Sequence, residues 1–291
     1  MSASIYIDGK YFEPANATVS VFDHGFLYGD GVFEGIRFYN KRIFKLNEHI
    51  QRLFNSAKVI MLEVPLTADA LSAAVVTTVK NSGLADGYIR LIVSRGTGDL
   101  GLDPRKCKKA SIVIIPSELK MYPKELYDNG ISLITVPTRR NINESLNPRI
   151  KSLNYLNNIL AKIEAVQLGY EEAILLNHDG YVAECTGDNI FYVTGGVLYT
   201  PASHYGALKG ITRDVIIDLA KEQHITVVEA ATTRYDLYTA DECFLTGTGA
   251  EVIPVAKIDA RVIGTGGPGG MTRKLIDAFK KLVAREGVAV A

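Results

Sequence analysis

The stretch EAILLNHDGYVAECTGDNIF, residues 172–191, decides the fold class. Its two apolar runs, EAILLN and YVAECT, are separated by a turn at His-Asp-Gly, which is the pattern of an antiparallel β-hairpin. Apolar spacing predicts further short strands nearby and helices at 153–168, 211–223 and 271–285. Helices and mostly antiparallel strands are therefore intermixed, which favours the α+β class over a doubly wound parallel sheet.

The N-terminal half of the chain shows the same mixture. A helix is predicted at 46–60, with Ile50, Leu53, Phe54 and Ala57 on one face. A second helix is predicted at 67–82, strands at 88–95 and 111–116, and a long Gly- and Asp-rich loop, which suggests a function, at 97–107.

The length of 291 residues predicts two domains. A polar segment containing Pro123 separates the two blocks of predicted elements. We therefore expect a small N-terminal α/β domain at 1–118, a linker at 119–130 and a larger C-terminal α/β domain at 131–291.

Composition argues against several classes of protein. The 32 basic residues balance 32 acidic ones, so nothing indicates a nucleic-acid-binding surface. Cys107, Cys185 and Cys243 are widely spaced, which predicts neither disulfides nor a metal site and fits a reducing cytoplasm. No run approaches the ~18 apolar residues that span a bilayer, and the N-terminus lacks a leader pattern. We expect a soluble cytoplasmic protein without metal.

The glycine-rich loop 264–270 has the G-x-G-x-x-G spacing of dinucleotide-binding turns at Gly264, Gly266 and Gly269. Too little chain follows it for the second strand of a βαβ unit. A connection to the last helix is therefore favoured over a phosphate site.

The segment RIKSLNYL, residues 149–156, places Lys151 just before the helix predicted at 153–168. Lys151 would lie on a strand end or loop, where desolvation favours the neutral amine that an imine-forming lysine needs. The alternative is a lysine whose ammonium reaches water. The apolar face of the helix, which we expect in the interior, consists of Leu153, Leu156, Ile159, Leu160, Ile163 and Val166.

Other residue types suggest one cofactor for this lysine. Pyridoxal phosphate requires an amine, a carboxylate at its pyridine nitrogen, phosphate anchors and walls for its ring. Glu184, at the end of a hairpin strand, is expected to be buried and therefore to have a cationic partner. That partner is either the pyridinium or a structural arginine, and Glu184 alone does not distinguish the two.

Three segments contain candidate phosphate anchors. Gly210, Ile211 and Thr212 lie where a helix begins, and helix N-termini bind anions through their first amides. Thr248 lies between glycines in a turn after a strand. Arg52 lies beside the apolar face of its helix and could supply a fixed charge, although a solvated helix charge is the alternative.

Two strands suggest a substrate with a carboxylate and an apolar side chain. Tyr88 and Arg90 share one face of their strand by the period of two, and Phe33 and Arg37 share a face of another. Ordinary salt bridges are the alternative for both arginines.

Seven motifs, in order, resemble those of the branched-chain-amino-acid aminotransferases, which are fold type IV pyridoxal-phosphate enzymes, over nearly the whole chain. The motifs are HGFLYGDGVFEGIR (24–37), HIQRLFNSAK (49–58), YIRLIVSRG (88–96), IKSLNYLNN (150–158), EAILLNHDGYVAECTGDNIF (172–191), LKGITRD (208–214) and DECFLTGTGAEVIPV (241–255).

The resemblance implies a two-domain architecture like that of D-amino-acid aminotransferase, with pyridoxal 5'-phosphate between the domains. It implies Lys151 as the Schiff-base lysine and Glu184 at the pyridine nitrogen. Tyr155 would lie near the phenolic oxygen and Leu208 against the ring. The implied phosphate ligands are Arg52, Gly210, Ile211, Thr212 and Thr248, and the implied substrate pocket consists of Tyr28, Phe33, Arg37, Tyr88, Arg90, Leu102, Gly249 and Ala250.

The resemblance also implies the activity, which is transamination of leucine, isoleucine and valine with 2-oxoglutarate or glutamate by a ping-pong mechanism. Tyr28 and Leu102 would come from a partner subunit, so at least a homodimer is implied. Gly249 stands where the family has alanine. The alternatives are a D-amino-acid or (R)-amine aminotransferase, an aminodeoxychorismate lyase, and a non-catalytic α+β scaffold.

Overall fold

The computed structural model describes residues 4–290. Contacts between Cα atoms divide the chain into two compact units. The first comprises the described residues of Met1–Leu119, Ile150–Asn154 and Val283–Ala291; the second comprises Lys120–Arg149 and Tyr155–Leu282. The segment with Lys151 is thus grouped with the first unit, whereas the predicted boundaries assign it to the C-terminal domain; those boundaries stay a prediction.

Short strands and three helices make up most of the first unit. In chain order they are β1 (Ile5–Ile7), β2 (Lys10–Phe12), α1 (His24–Tyr28), β3 (Gly31–Tyr39), β4 (Arg42–Ile43), α2 (Leu46–Val59), α3 (Ala68–Ser82), β5 (Gly87–Ser94) and β6 (Ser111–Ser117).

The second unit follows with the remaining elements, and the chain returns to the first unit in its last helix. The elements are α4 (Lys124–Asn129), β7 (Ile131–Thr135), α5 (Leu156–Gln167), β8 (Glu172–Leu176), β9 (Val182–Cys185), β10 (Asn189–Thr194), β11 (Val197–Pro201), α6 (Ile211–Glu222), β12 (Val227–Ala230), α7 (Arg234–Tyr238), β13 (Glu242–Gly247), β14 (Glu251–Ile258), β15 (Arg261–Val262), α8 (Gly270–Arg285) and β16 (Val288–Ala289). Helix α4 lies inside the segment predicted as a linker.

The sheet of the first unit is antiparallel and has the order β16-β4-β3-β5-β6-β1-β2. Helices α2 and α3 bury their apolar residues in one core with the sheet. On α2 this face includes Ile50, Leu53 and Ala57, as the helical spacing predicts. Helix α3 begins after Thr67, whose hydroxyl accepts from the Ala70 amide.

The sheet of the second unit has the order β12-β11-β10-β13-β14-β7-β8-β9, with β15 added to β14. Strands β8 and β9 form the predicted hairpin and pair Leu175 with Glu184. Five of its strand pairs are antiparallel and three are parallel. The fold is therefore α+β, which confirms the predicted class.

Helix α5 packs with the face opposite to the predicted one. Its buried residues are Asn158, Ala161 and Ala165, whose small size or polarity suits close packing near Ala173 and Leu175 of β8. The prediction that the large apolar face lies in the interior is wrong for the single chain. Helical spacing identifies an apolar face but not what covers it. The exposed residues of this face are Leu156, Ile159, Leu160, Ile163 and Val166.

The glycine-rich loop leads directly into α8, as predicted, and the carboxylate of Glu242 occupies the start of that helix. This carboxylate accepts hydrogen bonds from the amides of Met271 (3.0 Å) and Thr272 (2.7 Å). A Cβ at Gly269 would lie 2.1 Å from Glu242 Cδ. The dinucleotide interpretation therefore fails, because the chain's own carboxylate takes the place of a phosphate.

Between residues 4 and 290, none of the helices combines the length and apolar composition needed to cross a bilayer.

Candidate active site

In the first unit, the predicted phosphate ligand Arg52 is held by a buried carboxylate. Its Nε and Nη2 donate to Glu34 Oε1 (2.7 Å) and Oε2 (2.6 Å). His49 Nδ1 lies 2.7 Å from Glu34 Oε2. Glu34 is on the face of β3 that packs against α2. Val32 and Ile36, two residues before and after it on the strand, are buried on the same face. The guanidinium is thus fixed in a bidentate pair rather than solvated on its helix.

This cluster has a defined charge state. Burial alone would raise the pKa of Glu34, but the charges and hydrogen bonds of Arg52 and His49 outweigh burial and lower its pKa to about 2. Burial lowers the pKa of His49, against the attraction of Glu34, and the charges of Arg52 and Lys151 lower it further. Glu34 is therefore a carboxylate and His49 a neutral imidazole that donates Nδ1–H to it at neutral pH.

Lys151 lies on an extended segment beside β3. Its carbonyl accepts from the amide of Phe33 (2.9 Å), and its own amide donates to Ser56 Oγ (3.2 Å). The next residue, Ser152, forms a bridge with Val32. The Lys151 side chain is half-buried, and its Nζ atom lies 4.4 Å from the centroid of the Phe33 ring. The lysine is thus on neither a helix nor a solvated loop.

The substrate residues predicted on β3 and β5 lie together on one face of the sheet. The register pairs Gly35 with Arg90 and Arg37 with Tyr88. The Arg90 guanidinium lies 4.5 Å from the ring centroid of Phe33 and 5.5 Å from that of Tyr88. A Cβ at Gly35 would lie 1.9 Å from the Tyr88 hydroxyl, so only glycine leaves room for that ring. These side chains form an aromatic and cationic surface.

Tyr28 and the loop after β5 form another part of the first unit. The Tyr28 hydroxyl donates to the Leu100 carbonyl (2.6 Å), and His24 Nε2 lies 2.8 Å from the Asp99 carbonyl. Leu102 is 78% exposed. Helix α1 therefore holds the loop, and both predicted residues lie on an exposed surface.

In the second unit, Glu184 is buried and its two oxygens are held by different groups. Oε1 accepts from Arg140 Nε (2.8 Å); Oε2 accepts from the Leu208 amide (2.8 Å) and from Asn189 Nδ2 (3.4 Å). An arginine is thus a partner of this carboxylate. It does not exclude a second cationic partner, because a carboxylate accepts several hydrogen bonds.

The predicted phosphate residues Ile211 and Thr212 form the first turn of α6, and Gly210 is its N-cap residue. The first amides of a helix lack intrahelical partners and attract anions. A Cβ at Gly210 would lie 2.1 Å from Asn189 Oδ1, so this glycine lets the asparagine reach the helix start. Asn189 also donates to the Leu208 carbonyl (2.9 Å), which ties the segment before α6 to β10.

Thr248, Gly249 and Ala250 form the turn between β13 and β14. The turn closes with Glu251 at φ +61°, a left-handed conformation that non-glycine residues rarely adopt. Strained backbone of this kind is common at ligand sites. The three predicted residues are consecutive in a tight hairpin turn, which the pairing of Gly247 with Glu251 closes.

Thr246, two residues earlier, has a buried hydroxyl without a hydrogen-bond partner in the described part of the chain. It pairs with Asn189 across β13 and β10, so its side chain is on the face that carries the Glu184 carboxylate. Buried hydroxyls are nearly always satisfied in complete structures. This orphaned group, together with the helix start and the carboxylate, fits a polar cofactor such as pyridoxal phosphate.

The structure groups the predicted residues in two sets, one in each unit. The second set also includes Tyr155, the N-cap residue of α5. The first set is Lys151, Arg52, Tyr28, Phe33, Arg37, Tyr88, Arg90 and Leu102; the second is Tyr155, Glu184, Leu208, Gly210, Ile211, Thr212, Thr248, Gly249 and Ala250.

Sequence reasoning missed the residues that hold these sets in position. Glu34 could have been found, because the period of two places it with Val32 and Ile36 on the core face, where a carboxylate needs a cation. Arg140 gave no local signal, since it is 44 residues from Glu184. Asn189 and Thr246 likewise could not be identified from the sequence, because only the pairing of β10 with β13 brings them together.

Comparison with known proteins gives the class that this site defines. The model of the family described as "Amino-transferase class IV" matches residues 31–258. The chain therefore belongs to the class IV aminotransferases.

Within that class, the two relatives and the solved structure that follow are all named as branched-chain-amino-acid aminotransferases. A Methanocaldococcus jannaschii protein, assigned provisionally as a branched-chain-amino-acid aminotransferase, is 53% identical over 98% of both chains. The branched-chain-amino-acid aminotransferase of Pseudomonas aeruginosa is 38% identical over 96% of this chain and 92% of its own. The crystal structure of the T.th. branched-chain amino acid aminotransferase with pyridoxamine 5'-phosphate has a TM-score of 0.94 at 38% identity, covering 98% of this chain and 96% of that one. The chain belongs to the branched-chain-amino-acid aminotransferase family and has its fold type IV architecture.

Proposed function

We propose that the protein transfers amino groups between branched-chain L-amino acids (leucine, isoleucine and valine) and 2-oxoglutarate, with pyridoxal 5'-phosphate as cofactor. The observation that carries this proposal is the complete set of residue types that the cofactor requires: an amine on a positioned segment, a buried carboxylate, a fixed arginine and a helix start. Membership of the aminotransferase family supports it over nearly the whole chain.

When bound, pyridoxal phosphate supplies an aldehyde that takes up amino groups and a ring that accepts electrons. Lys151 would provide the amine that holds the cofactor, and the same amine would move a proton at the substrate Cα. Glu184 would accept the N–H of the pyridine ring, Tyr155 would lie near the phenolic oxygen, and Leu208 would pack against the ring. Arg52, the first turn of α6 at Gly210, Ile211 and Thr212, and Thr248 bind the phosphate.

The face formed by β3 and β5 supports the choice of substrate. Phe33 and Tyr88 offer apolar contact to an aliphatic side chain, and Arg37 and Arg90 offer charge to a carboxylate, including the second carboxylate of glutamate. The main-chain groups of Gly249 and Ala250 bind the α-carboxylate. Tyr28 and Leu102 contribute from the partner subunit of a homodimer.

The experiment follows the visible absorption of the purified protein together with 2-oxo acid formation from L-leucine, D-alanine and (R)-phenylethylamine. Wild type is expected to be yellow, to change its spectrum with L-leucine or L-glutamate, and to form product from L-leucine. Lys151→Ala is expected to lose turnover entirely, and Glu184→Gln to lose it by about two to three orders of magnitude, the loss that follows removal of a group that stabilises charge developing in the reaction.

Other results identify other activities. Product from D-alanine or the (R)-amine but not from L-leucine would replace the substrate class, and pyruvate from aminodeoxychorismate alone would indicate a lyase. A colourless protein that pyridoxal phosphate leaves unchanged would indicate a non-catalytic scaffold.

The exposed face of α5 supports the homodimer. It carries a row of large aliphatic side chains, of which Leu156 is 65% exposed. The two charged residues of this helix are turned to their own unit: Lys162 pairs with Glu172 (3.3 Å), and Glu164 accepts from the Thr138 hydroxyl (2.5 Å). An uncharged apolar face of this kind is typical of a subunit contact.

The test is the molar mass in solution from light scattering. Wild type is expected to be a dimer or larger, and Leu160→Glu combined with Ile163→Glu is expected to shift it to monomer. Ala73→Glu combined with Thr77→Glu, at exposed positions of α3, is the matched control, because it adds the same two charges away from this face. An unchanged mass for the double variant would exclude this face as the contact. We also propose a cytoplasmic location, in keeping with the three unpaired cysteines.

A further inference from the structure

The partner that the structure gives to Glu184 is a fully formed arginine site. The Arg140 side chain is 6% exposed, as is that of Glu184. Its Nε donates to Glu184 Oε1 (2.8 Å), and its Nη1 donates to the side-chain oxygens of Asn157 (3.0 Å) and Asn158 (3.3 Å). One guanidinium therefore joins β9 to the first turn of α5.

The groups that hold Arg140 are themselves fixed. Asn158 Nδ2 donates to the Thr186 carbonyl (2.8 Å), and Asn157 Nδ2 donates to the Arg139 carbonyl (2.8 Å). The Arg140 amide donates to the Leu176 carbonyl of β8 (2.9 Å). With every attachment tied to the backbone, the guanidinium has little freedom to follow the carboxylate if the carboxylate moves.

Stability does not account for such a pair. Two buried ions contribute little more than an apolar pair of the same size, because the cost of desolvation offsets their attraction. A buried pair is informative where one member also meets a ligand. Glu184 is that member here, since it is the residue proposed for the pyridine nitrogen.

We propose that Arg140 is a positioning residue that keeps the Glu184 carboxylate ionised and aimed at the pyridine nitrogen of the cofactor. An arginine does not release its proton in proteins, so it stabilises the charged form of the carboxylate. An ionised Glu184 accepts the ring N–H and leaves the proton on the ring, where it promotes electron withdrawal. The Leu208 amide and Asn189 hold the other carboxylate oxygen, which fixes the direction.

This inference rests on the proposed function, and it is tested on the holoenzyme with Arg140→Met, Arg140→Lys and Glu184→Gln. Arg139→Met is the matched control, because Arg139 is the exposed neighbour in sequence. Three quantities are measured: the pH midpoint of the visible absorption change, the rate of the half-reaction with L-leucine, and its apparent KM.

Arg140→Met is expected to move the pH midpoint by about one unit or more, the size of shift that a lost charge partner produces. The half-reaction is expected to slow by about 10- to 100-fold, as at other sites that lose a supporting group, while KM changes by less than about 3-fold. Arg140→Lys should partly restore both the pH midpoint and the rate of the half-reaction. Lysine restores the positive charge but not the planar guanidinium that donates hydrogen bonds to several groups at once. Arg139→Met should match wild type.

The outcomes separate the two levels of the proposal. If Glu184→Gln changes the midpoint and rate but neither Arg140 variant does, Arg140 has only a structural role and the inference is wrong. If wild type takes up no cofactor, or Glu184→Gln behaves like wild type, the proposed function or the role of Glu184 fails first. Should Arg140→Met not fold, the same comparison is made with Arg140→Lys and with Asn157→Ala, which removes one of the groups that fix the guanidinium.

Discussion

Each unit contains a buried arginine–glutamate pair. In one pair the arginine is the residue assigned to the ligand, and in the other it is the glutamate. In the first unit the carboxylate, Glu34, is enclosed, and it positions an arginine, Arg52, whose side chain is 14% exposed and is assigned to a ligand. In the second unit the arginine, Arg140, is the supporting group, and the carboxylate, Glu184, is assigned to the ligand. A pair of this type can thus offer a ligand either a positive or a negative group, depending on which of its two residues supports the other.

The difference lies in the anchoring. Glu34 is on the core face of a strand and its support, His49, comes from α2, so the pair is embedded in a hydrophobic core. Arg140 is held by two asparagines and its pair is embedded in a polar network. We therefore expect changes in the first pair to affect stability and changes in the second to affect the chemistry of the ring.

The largest effect is expected from Glu34→Ala. This variant leaves Arg52 and His49 beside an empty space, and breaking one side of a buried pair costs about 3–5 kcal/mol of unfolding free energy. The measurement is chemical denaturation of the apoprotein. Glu48→Ala is the control on the same region of the chain, because its partner Lys45 is 3.6 Å away and its side chain is 51% exposed; we expect a loss within about 1 kcal/mol. Equal losses would show that the Glu34 pair is not embedded in the core as the structure has it.

Arg52→Met should distinguish the two pairs by cofactor affinity. A charged hydrogen bond to phosphate is worth about 1.5–3 kcal/mol, so the Kd for pyridoxal phosphate should rise by about 10- to 100-fold. Glu184→Gln, by contrast, should leave that Kd within about 5-fold, because the phosphate ligands are intact. Fluorescence titration of the apoproteins measures both. A larger loss of affinity in Glu184→Gln than in Arg52→Met would reverse the assigned roles.

Acid should weaken the first pair in two steps. His49 has a lowered pKa when folded, so its stabilising effect falls as pH drops through about 6.5, the unfolded value. Glu34 has its folded pKa lowered to about 2, so its contribution is complete above about pH 5 and is lost as pH falls toward 2.

The Glu34 step corresponds to about 3 kcal/mol. Unfolding free energies measured in urea between pH 2 and 7 should fall by about 3 kcal/mol less in Glu34→Gln than in wild type. A slope that is the same in both proteins would assign the acid sensitivity to other carboxylates.

The two pairs also show what sequence can reveal. Strand alternation correctly places Ile89, Leu91 and Val93 in the core and Tyr88 and Arg90 on the other face, because the period of two is a property of the backbone. The same alternation places Glu34 on the core face of β3, so its burial could have been predicted from the sequence. Arg140 and Glu184, in contrast, are joined by the return of the chain after β7 and the hairpin, which no local pattern encodes.

Helices α2 and α5 show that the sequence pattern also does not predict which face of a helix packs against its own unit. Both have an apolar face at helical spacing, yet α2 buries its face in its own unit and α5 exposes its own. The periodicity predicts the helix in each case. The direction of packing depends on small residues such as Ala161 and Ala165, which let α5 lie close to β8 with its other side.

A smaller effect is expected at the substrate face. Gly35→Ala places a methyl group 1.9 Å from the present position of the Tyr88 hydroxyl and must displace that ring. We expect KM for L-leucine to rise by about 10-fold, corresponding to about 1.4 kcal/mol, with the cofactor Kd unchanged. Gly270→Ala is the control, since a Cβ there meets nothing within 4 Å. Unaltered steady-state kinetics in Gly35→Ala would remove Tyr88 from the substrate pocket.

The smallest effect is expected at Thr246, and its sign depends on whether cofactor is present. Its hydroxyl is buried without a partner in the described residues, so Thr246→Val, which exchanges hydroxyl for methyl, should leave the apoprotein unchanged or stabilise it by up to about 1 kcal/mol. If the hydroxyl serves the cofactor or a water bound with it, wild type should gain more than the variant when pyridoxal phosphate is added. Thermal unfolding with and without cofactor measures both effects. A variant that loses stability equally in the two conditions would mean that the hydroxyl has a partner within the folded chain, and the second unit would then offer the cofactor one polar group fewer than its geometry indicates.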